Sequence, residues 1–352
     1  MSTKPLIGVI TNPNSKRNRK RPERVHRLRQ IVGDVGVVRQ THHVDEIALV
    51  VEEFLDDGLA YWVADGGDGA FHWLINIADQ VIARRGRGEV FAAILPTNSG
   101  TINYLGRKCG VVGRAEGLLE ALVDIVRSGR QPEIVEIDSL RVVGQLGEQS
   151  EQPGQPFDKL GFAVALVGVG QQFFDKFYGR GRKSALGIVE EVARITGSGF
   201  TNLPGLRHIP LPTEVRAYAQ TVFEPVRLDV SVDGKPLPMQ WYSAINIGSI
   251  DIDLAGVFRI FARAGERGVL HAMAGKPNFA EVVANLPLLA AGKELVIRDF
   301  FEGPVKRLEV VAHLPYGIDP VIDGELFYGL GEASVSLGPS VRVLSVQARD
   351  MR

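Results

Sequence analysis

The chain has 352 residues, 45% hydrophobic and 23% charged, close to ordinary globular usage, which excludes a disordered or fibrous protein. At ~100–200 residues per domain this length fits two domains. Forty Lys and Arg against 41 Asp and Glu leave a net charge of −1, so no global positive field exists for a nucleic acid or an anionic bilayer, and any anion must be held locally.

In chain order, the first 130 residues alternate short apolar strands with helix-length amphipathic stretches, the pattern of a parallel sheet covered by helices. Strands are expected at Leu6–Thr11, Val35–Gln40, Tyr61–Ala64 and Phe91–Leu95. Helices are expected at Pro22–Val32, Val44–Asp56, Ala70–Ala83 and Arg114–Ser128, with Pro22 suited to a first turn. From about Glu133 the texture changes to β-branched runs: Ile134–Val143, Leu160–Val167, Val226–Val232, Trp241–Ile247, Leu295–Phe300, Leu308–Leu314 and Val341–Val346. They predict a mostly antiparallel sandwich or barrel. Lys183–Thr196 and Asn278–Ala291 have helical periodicity and read first as core helices, with the lining of an acyl pocket as the functional alternative. Gln145–Gln155 reads as a long exposed hairpin loop. The division expected is 1–130 and 131–352, with the last strands as candidates to pack back on the first domain.

A single cysteine, Cys109, cannot form an intramolecular disulfide, and no Cys/His cluster has zinc spacing. Residues Met1 to Ile10 lead directly into a strand without the regions of a signal peptide, so a cytoplasmic protein is expected. The apolar runs Phe162–Val169 and Val282–Ala291 fall short of the ~20 residues that span a bilayer. Contact with lipid would be made from the surface.

Three loops carry the chemistry. In Tyr61-Trp62-Val63-Ala64-Asp65-Gly66-Gly67-Asp68-Gly69-Ala70-Phe71 an apolar strand runs through glycines into a helix, whose unpaired N–H groups and positive dipole end suit a polyphosphate. One helix terminus contributes only ~0.3–1 kcal/mol to an exposed anion, so other donors are needed. Asp68 is odd for a pure anion cradle and fits a sugar hydroxyl, a metal or an attacking hydroxyl. Structurally, the same residues read as a tight turn with Asp68 capping the helix. The second loop, Thr97-Asn98-Ser99-Gly100-Thr101-Ile102-Asn103, follows the next strand and would lie beside the first, at the carboxyl ends where α/β ligands collect. The third, Thr11-Asn12-Pro13-Asn14-Ser15, follows the first strand and runs into Lys16, Arg17, Arg19, Lys20 and Arg21, a cluster that could screen phosphates or form a solvated loop. No dinucleotide fingerprint, P-loop, nucleophile elbow or zinc-protease motif occurs. His42 and His43 are expected at the surface, and His72 could reach a phosphate or pack in its helix.

At these residues the sequence resembles the diacylglycerol kinase and sphingosine kinase family of lipid kinases, within the superfamily that includes NAD kinases. The resemblance rests on Asn12-Pro13, Gly66-Gly67-Asp68-Gly69, Gly100-Thr101-Ile102-Asn103 with Arg107, and Asp323-Gly324-Glu325, in that order over most of the chain. It implies the fold of that superfamily: an α/β first domain and a β-sandwich second domain, with ATP between them. The implied nucleotide-binding set is Asn12, Pro13, Ser15, Thr41, Gly66, Gly67, Asp68, Gly69, Gly100, Thr101 and Asn103. Bacterial members imply Asp323 as the base, supported by Glu325, while the sphingosine branch points to Asp68; Asp323 is preferred. ATP and Mg²⁺ are the implied cofactors and a lipid hydroxyl the acceptor. Peripheral membrane contact and a homodimer are compatible with this reading, and a nucleic acid is not. The alternatives are an NAD kinase-like phosphotransferase and a non-catalytic nucleotide-binding protein.

Several positions depart from the family. Ala70 stands where Thr is common and His72 where Asn is usual; Pro96 and Gly100 are spaced more widely, and Tyr104 replaces a frequent Asp. The acidic pair that helps hold a structural Mg²⁺ in some members would fall near Glu266-Arg267-Gly268, where Arg267 speaks against that site.

Overall fold

The computed structural model describes residues 6–21, 23–86, 88–100, 102–179, 190, 194, 198, 221–254 and 258–348. The chain forms two compact units, Met1–Ile137 with Ser340–Arg352, and Asp138–Pro339. Pro22, Thr101 and nearly all of the helix expected at Lys183–Thr196 lie outside the described residues.

In the first unit, strands β1 (Ile7–Thr11), β2 (Gly36–Gln40), β3 (Tyr61–Asp65) and β4 (Ala93–Pro96) alternate with helices α1 (Lys16–Arg19), α2 (Arg24–Val32), α3 (Glu46–Asp56), α4 (Asp68–Arg85), α5 (Tyr104–Lys108) and α6 (Ala115–Arg127). The strands pair in the order β2-β1-β3-β4, all parallel. All five residues of β1 are buried, as expected of a parallel strand covered on both faces. Helices α2 and α6 pack together, as do α3 and α4, placing Leu28, Val51, Phe54, Leu74, Ile75, Leu118 and Leu122 in the core. Gly8 is required in β1 because a Cβ there would lie 2.4 Å from the Phe54 ring. The sheet gains one more strand from the far end of the sequence, where Val343 pairs in parallel with Ile94.

The second unit begins in β5 (Glu133–Leu146) and continues through β6 (Pro156–Gly161), β7 (Ala163–Gly168), α7 (Val169–Gly179), β8 (Val226–Val232), β9 (Lys235–Pro236), β10 (Trp241–Tyr242), β11 (Ala244–Gly248), β12 (Ile252–Leu254), β13 (Phe258–Ile260) and β14 (Leu270–Gly275). It closes with α8 (Phe279–Ala290), β15 (Phe300–Val305), β16 (Arg307–Ala312), β17 (Val321–Ile322), β18 (Glu325–Leu326) and β19 (Leu330–Ser345). One antiparallel sheet runs β15-β14-β11-β7-β17-β18, and a second contains β10-β8-β16-β19 with β5 and β6. Residues of both, including Leu140, Leu166, Val230, Ile245, Val310 and Val335, form one buried apolar cluster, the two-sheet architecture that the alternating β-branched runs predict.

Helix α8 departs from the expected core helix. Asn278 and Glu281 form a capping box at its start, but Asn285 is its only buried residue, and Val282, Val283, Leu286, Leu288 and Leu289 are half-buried. The Asn285 amide pins the helix instead, donating to Val296 O at 3.0 Å and accepting from Val296 N at 2.7 Å.

The second core also holds a buried pair, with His271 Nε2 3.4 Å from Glu302 Oε1, an ion-pair distance rather than a tight hydrogen bond. Burial alone would raise the Glu302 pKa; His271, the Leu295 N–H and Arg263 outweigh it and hold it below the ordinary 4.5. A carboxylate depressed in the folded state contributes stability above its unfolded pKa and loses that contribution as pH falls through the folded one. Urea midpoints are therefore expected to drop below about pH 4.5, and to drop less in Glu302→Gln. Identical acid limbs for the two proteins would remove Glu302 from the account.

Candidate functional site

Strands β1, β3 and β4 end side by side, with Thr11 in register with Asp65 and Ala64 with Pro96. The loops that follow them are therefore neighbours at the carboxyl edge of a parallel sheet, where such folds collect ligands. After β1, Asn12 Oδ1 accepts the Asn14 N–H at 2.7 Å and Asn12 O accepts the Ser15 N–H at 3.1 Å, a compact turn that includes Pro13. Thr41, after β2, is buried and donates its N–H to Thr11 O at 3.0 Å. Of the basic run, Arg19, Lys20 and Arg21 are exposed, while the side chains of Lys16 and Arg17 lie outside the description. His42 and His43 are exposed, as expected.

After β3, Gly66 and Gly67 lead into α4, whose N-cap Gly67 has no side chain to cap the helix. The first N–H groups of α4 thus lack the usual hydroxyl or carboxylate partner from the N-cap, the arrangement that receives an anion. The two glycine-bearing loops touch through their backbones. A Cβ on Gly67 would lie 2.3 Å from Gly100 Cα, and one on Gly100 would lie 2.6 Å from Gly67 Cα. Ser99 N–H donates to Gly66 O at 3.0 Å, closing the seam between them.

Asp68, the first residue of α4, reaches beyond its own helix. Its carboxylate accepts the N–H groups of Tyr104 and Leu105 at 3.3 and 3.4 Å, and so holds the start of α5 against the glycine turn. His72 is buried within α4, with its ring edge-on to Trp73 and 3.4 Å from the Asn76 amide, so it packs the helix. In the second loop Asn98 and Asn103 both have φ of 51°, a left-handed conformation that Asn tolerates. Asn103 is the loop's clamp: Oδ1 accepts the Gly100 N–H at 2.9 Å, and Nδ2 donates to the carbonyls of Asn98 and Gly100, both at 3.0 Å. Asn103→Ala removes three hydrogen bonds at a strained position, and a loss of ~1–3 kcal/mol of stability is expected, read as a lower urea midpoint. An unchanged midpoint would show that the loop needs no clamp.

Beneath these loops lies a polar network that sequence reasoning missed. Asp65 Oδ2 accepts from Thr11 Oγ1 at 2.6 Å and Arg24 Nη1 at 2.5 Å, while Oδ1 accepts from Arg24 Nη2 at 2.7 Å and Thr97 Oγ1 at 3.2 Å. Arg24 also donates to Glu116 Oε1 at 2.6 Å and Asn18 Oδ1 at 2.7 Å, and Asn18 Nδ2 returns to Thr11 Oγ1 at 2.9 Å. Burial alone would lower the Arg24 pKa; the hydrogen bonds and charge of Asp65, then of Glu116, outweigh it and keep the guanidinium charged. Only one signal was available in the sequence: a carboxylate ending a buried strand immediately before two glycines.

Asp323 and Glu325 belong to the second unit. Asp323 and Gly324 join β17 to β18 with φ of 52° and 89°, the two consecutive positive values that a type I′ hairpin requires and that Asp-Gly supplies. Asp323 Oδ1 accepts the N–H groups of Phe162 and Ala163 at 2.8 and 3.0 Å. Glu325, opposite Ile322 in the hairpin, is half-buried. Asp233-Gly234 forms a second turn of this kind, where Asp233 Oδ1 accepts from Lys306 N and Arg307 N. The hairpin geometry therefore does not by itself distinguish Asp323 as a base.

The glycine N-cap of α4 and the close glycine backbones leave main-chain N–H groups where an anion such as a phosphate could be received. Among the described residues no group of three or more His, Cys, Asp or Glu side chains is arranged to hold a metal; Mg²⁺ in kinase sites is usually held by one or two carboxylates together with the phosphates. Near the position of the acidic pair found in some kinases, the Gly268 N–H and the Arg267 guanidinium both turn to Asp138, at 2.6 and 3.4 Å. Among the described residues no helix is long and apolar enough to cross a membrane.

Residues 7–132 match the diacylglycerol kinase catalytic domain. No curated protein matches the chain. Among solved structures, a diacylglycerol kinase from Bacillus anthracis str. Sterne is 11% identical, with 96% of each chain covered and a TM-score of 0.55. Another structure from that organism reaches 0.60 at 12% identity, again over 96% of each chain. Yeast NADH kinase complexed with NADH is 10% identical, with a TM-score of 0.50 over 99% of this chain and 86% of its own. At such identities the structures establish the shared two-domain fold alone.

Proposed function

We propose, from the match of residues 7–132 to the diacylglycerol kinase catalytic domain, that the protein is an ATP-dependent lipid kinase acting on the hydroxyl of diacylglycerol, a sphingoid base or a similar amphiphile. The observation that carries this reading is the backbone contact of Gly67 with Gly100 beside a helix start whose N-cap is a glycine. N–H groups there would grip the phosphates, with Thr101 and the Asn12 turn as further donors. ATP supplies the phosphoryl group. Asp68 holds α5 and the second loop in place. Asp323, supported by Glu325, is assigned the proton of the acceptor hydroxyl as its oxygen bonds to the γ-phosphorus and the bond to ADP breaks. The half-buried apolar side chains of α8 favour an acyl-bearing acceptor.

A second reading, phosphorylation of NAD, is favoured by the likeness to yeast NADH kinase over nearly the whole chain. Incubation with γ-labelled ATP, Mg²⁺ and a panel of lipids and NAD separates the two. Label on a lipid supports the first reading and label on NAD the second. ATP binding without transfer would leave a nucleotide-binding protein, and absence of ATP binding would overturn all three.

A further inference from the structure

We propose that Arg24 is a positioning residue for nucleotide binding: through Asp65 it sets the spacing of the three loops that follow β1, β3 and β4. The inference rests on the reading of those loops as the nucleotide site. The Arg24 side chain is 3% exposed and that of Asp65 1%, so neither touches a ligand, and their effect must pass through what they hold. What they hold is specific. Thr11 ends β1 immediately before Asn12, Asp65 ends β3 immediately before Gly66, and Thr97 follows β4 and opens the loop to Gly100. One carboxylate gathers all three, and one guanidinium fork fixes that carboxylate.

Stability alone is a poor explanation for this pair. Taking two charges out of water costs as much as their attraction returns unless the geometry is excellent, and apolar residues of like volume often serve the fold as well. What a bidentate arginine adds is direction, because its planar fork meets a carboxylate in a single orientation. Glu116 on α6 and Asn18 on α1 hold the guanidinium from its other sides. Direction matters here because Gly67 and Gly100 are in contact with no room for even one methyl group. A small rotation of Asp65 would be felt at both loops.

The test is titration calorimetry of the full-length chain with ATP, alongside thermal unfolding. Arg24→Met is expected to weaken ATP binding by more than about tenfold in the folded protein, and Arg24→Lys, which restores the charge without the fork, to recover only part. Thr11→Val, of like size but leaving Asp65 and Asn18 each short of one buried partner, is expected to weaken binding about threefold or more in the folded protein by releasing one loop from Asp65. A lower unfolding temperature with ATP affinity within about twofold of wild type in any folded Arg24 variant would make the pair merely structural and overturn the proposal. If neither Arg24 variant folds, unchanged affinity in Thr11→Val would overturn it equally. Wild-type protein that does not bind ATP would overturn the nucleotide reading together with this inference, whereas binding by wild type and variants alike would overturn this inference alone.

Discussion

Asp323→Asn is expected to lower phosphoryl transfer by ~10²–10⁴-fold while leaving ATP affinity and thermal stability close to wild type. Asn is the informative replacement for three reasons. Its amide oxygen can still accept the N–H groups of Phe162 and Ala163 that Asp323 Oδ1 accepts now. Like Asp, it tolerates the positive φ of 52° at this position. What is lost is the negative charge and with it the capacity to take a proton. Rates measured at saturating ATP, with the unfolding midpoint as control, read the effect directly. Turnover within about threefold of wild type would remove Asp323 as base. Ala would answer less cleanly, since it would strip the hairpin of its anchor and strain the turn.

Gly67→Ala is expected to abolish measurable ATP binding and to cost ~1–3 kcal/mol of stability, the usual range for overpacking. The added Cβ would lie 2.3 Å from Gly100 Cα and 2.8 Å from Gly100 N, against backbone that has no rotamer to change. The two loops must separate, and the donors that would converge on the phosphates separate with them. ATP titration and denaturant unfolding of the variant give both numbers. Affinity within about threefold of wild type would show that the contact between the loops is dispensable for binding.

Periodicity is a good guide in the first unit because β1, β3 and β4 are short, apolar and bounded by turn residues. The expected helix Arg114–Ser128 became α6 over Ala115–Arg127, and the expected strand at Tyr61 gained only Asp65. In the second unit, tertiary pairing overrode local preference. Leu270–Gly275 contains no β-branched residue, yet it is a strand because β11 and β15 flank it. The run Leu295–Phe300 was expected to be a strand, but pairing starts at Phe300, since Asp299 turns the chain with φ of 50°. Leu160–Val167 divides at Phe162, whose N–H and that of Ala163 turn to Asp323.

The candidate site was legible to the same extent. Glycines, which few other residues can replace in close backbone approach, marked both loops. Asn103 stood among the expected ligands, but its amide is occupied within its own loop. Arg24 was hidden among neighbouring cations, and nothing local to position 24 reveals a partner at position 65.

The parallel pairing of Val343 with Ile94 carries a consequence for biosynthesis. The ribosome releases β4 some 250 residues before the strand that covers its edge, at the ~5–20 residues per second of translation a delay of tens of seconds. Until then the nascent first unit displays an unsatisfied row of main-chain donors and acceptors, a template for association with other chains. A fragment ending at Ile137 would keep that defect permanently, so excising the first unit at its apparent border invites aggregation, whereas fusing residues 340–348 back onto it should mend the sheet.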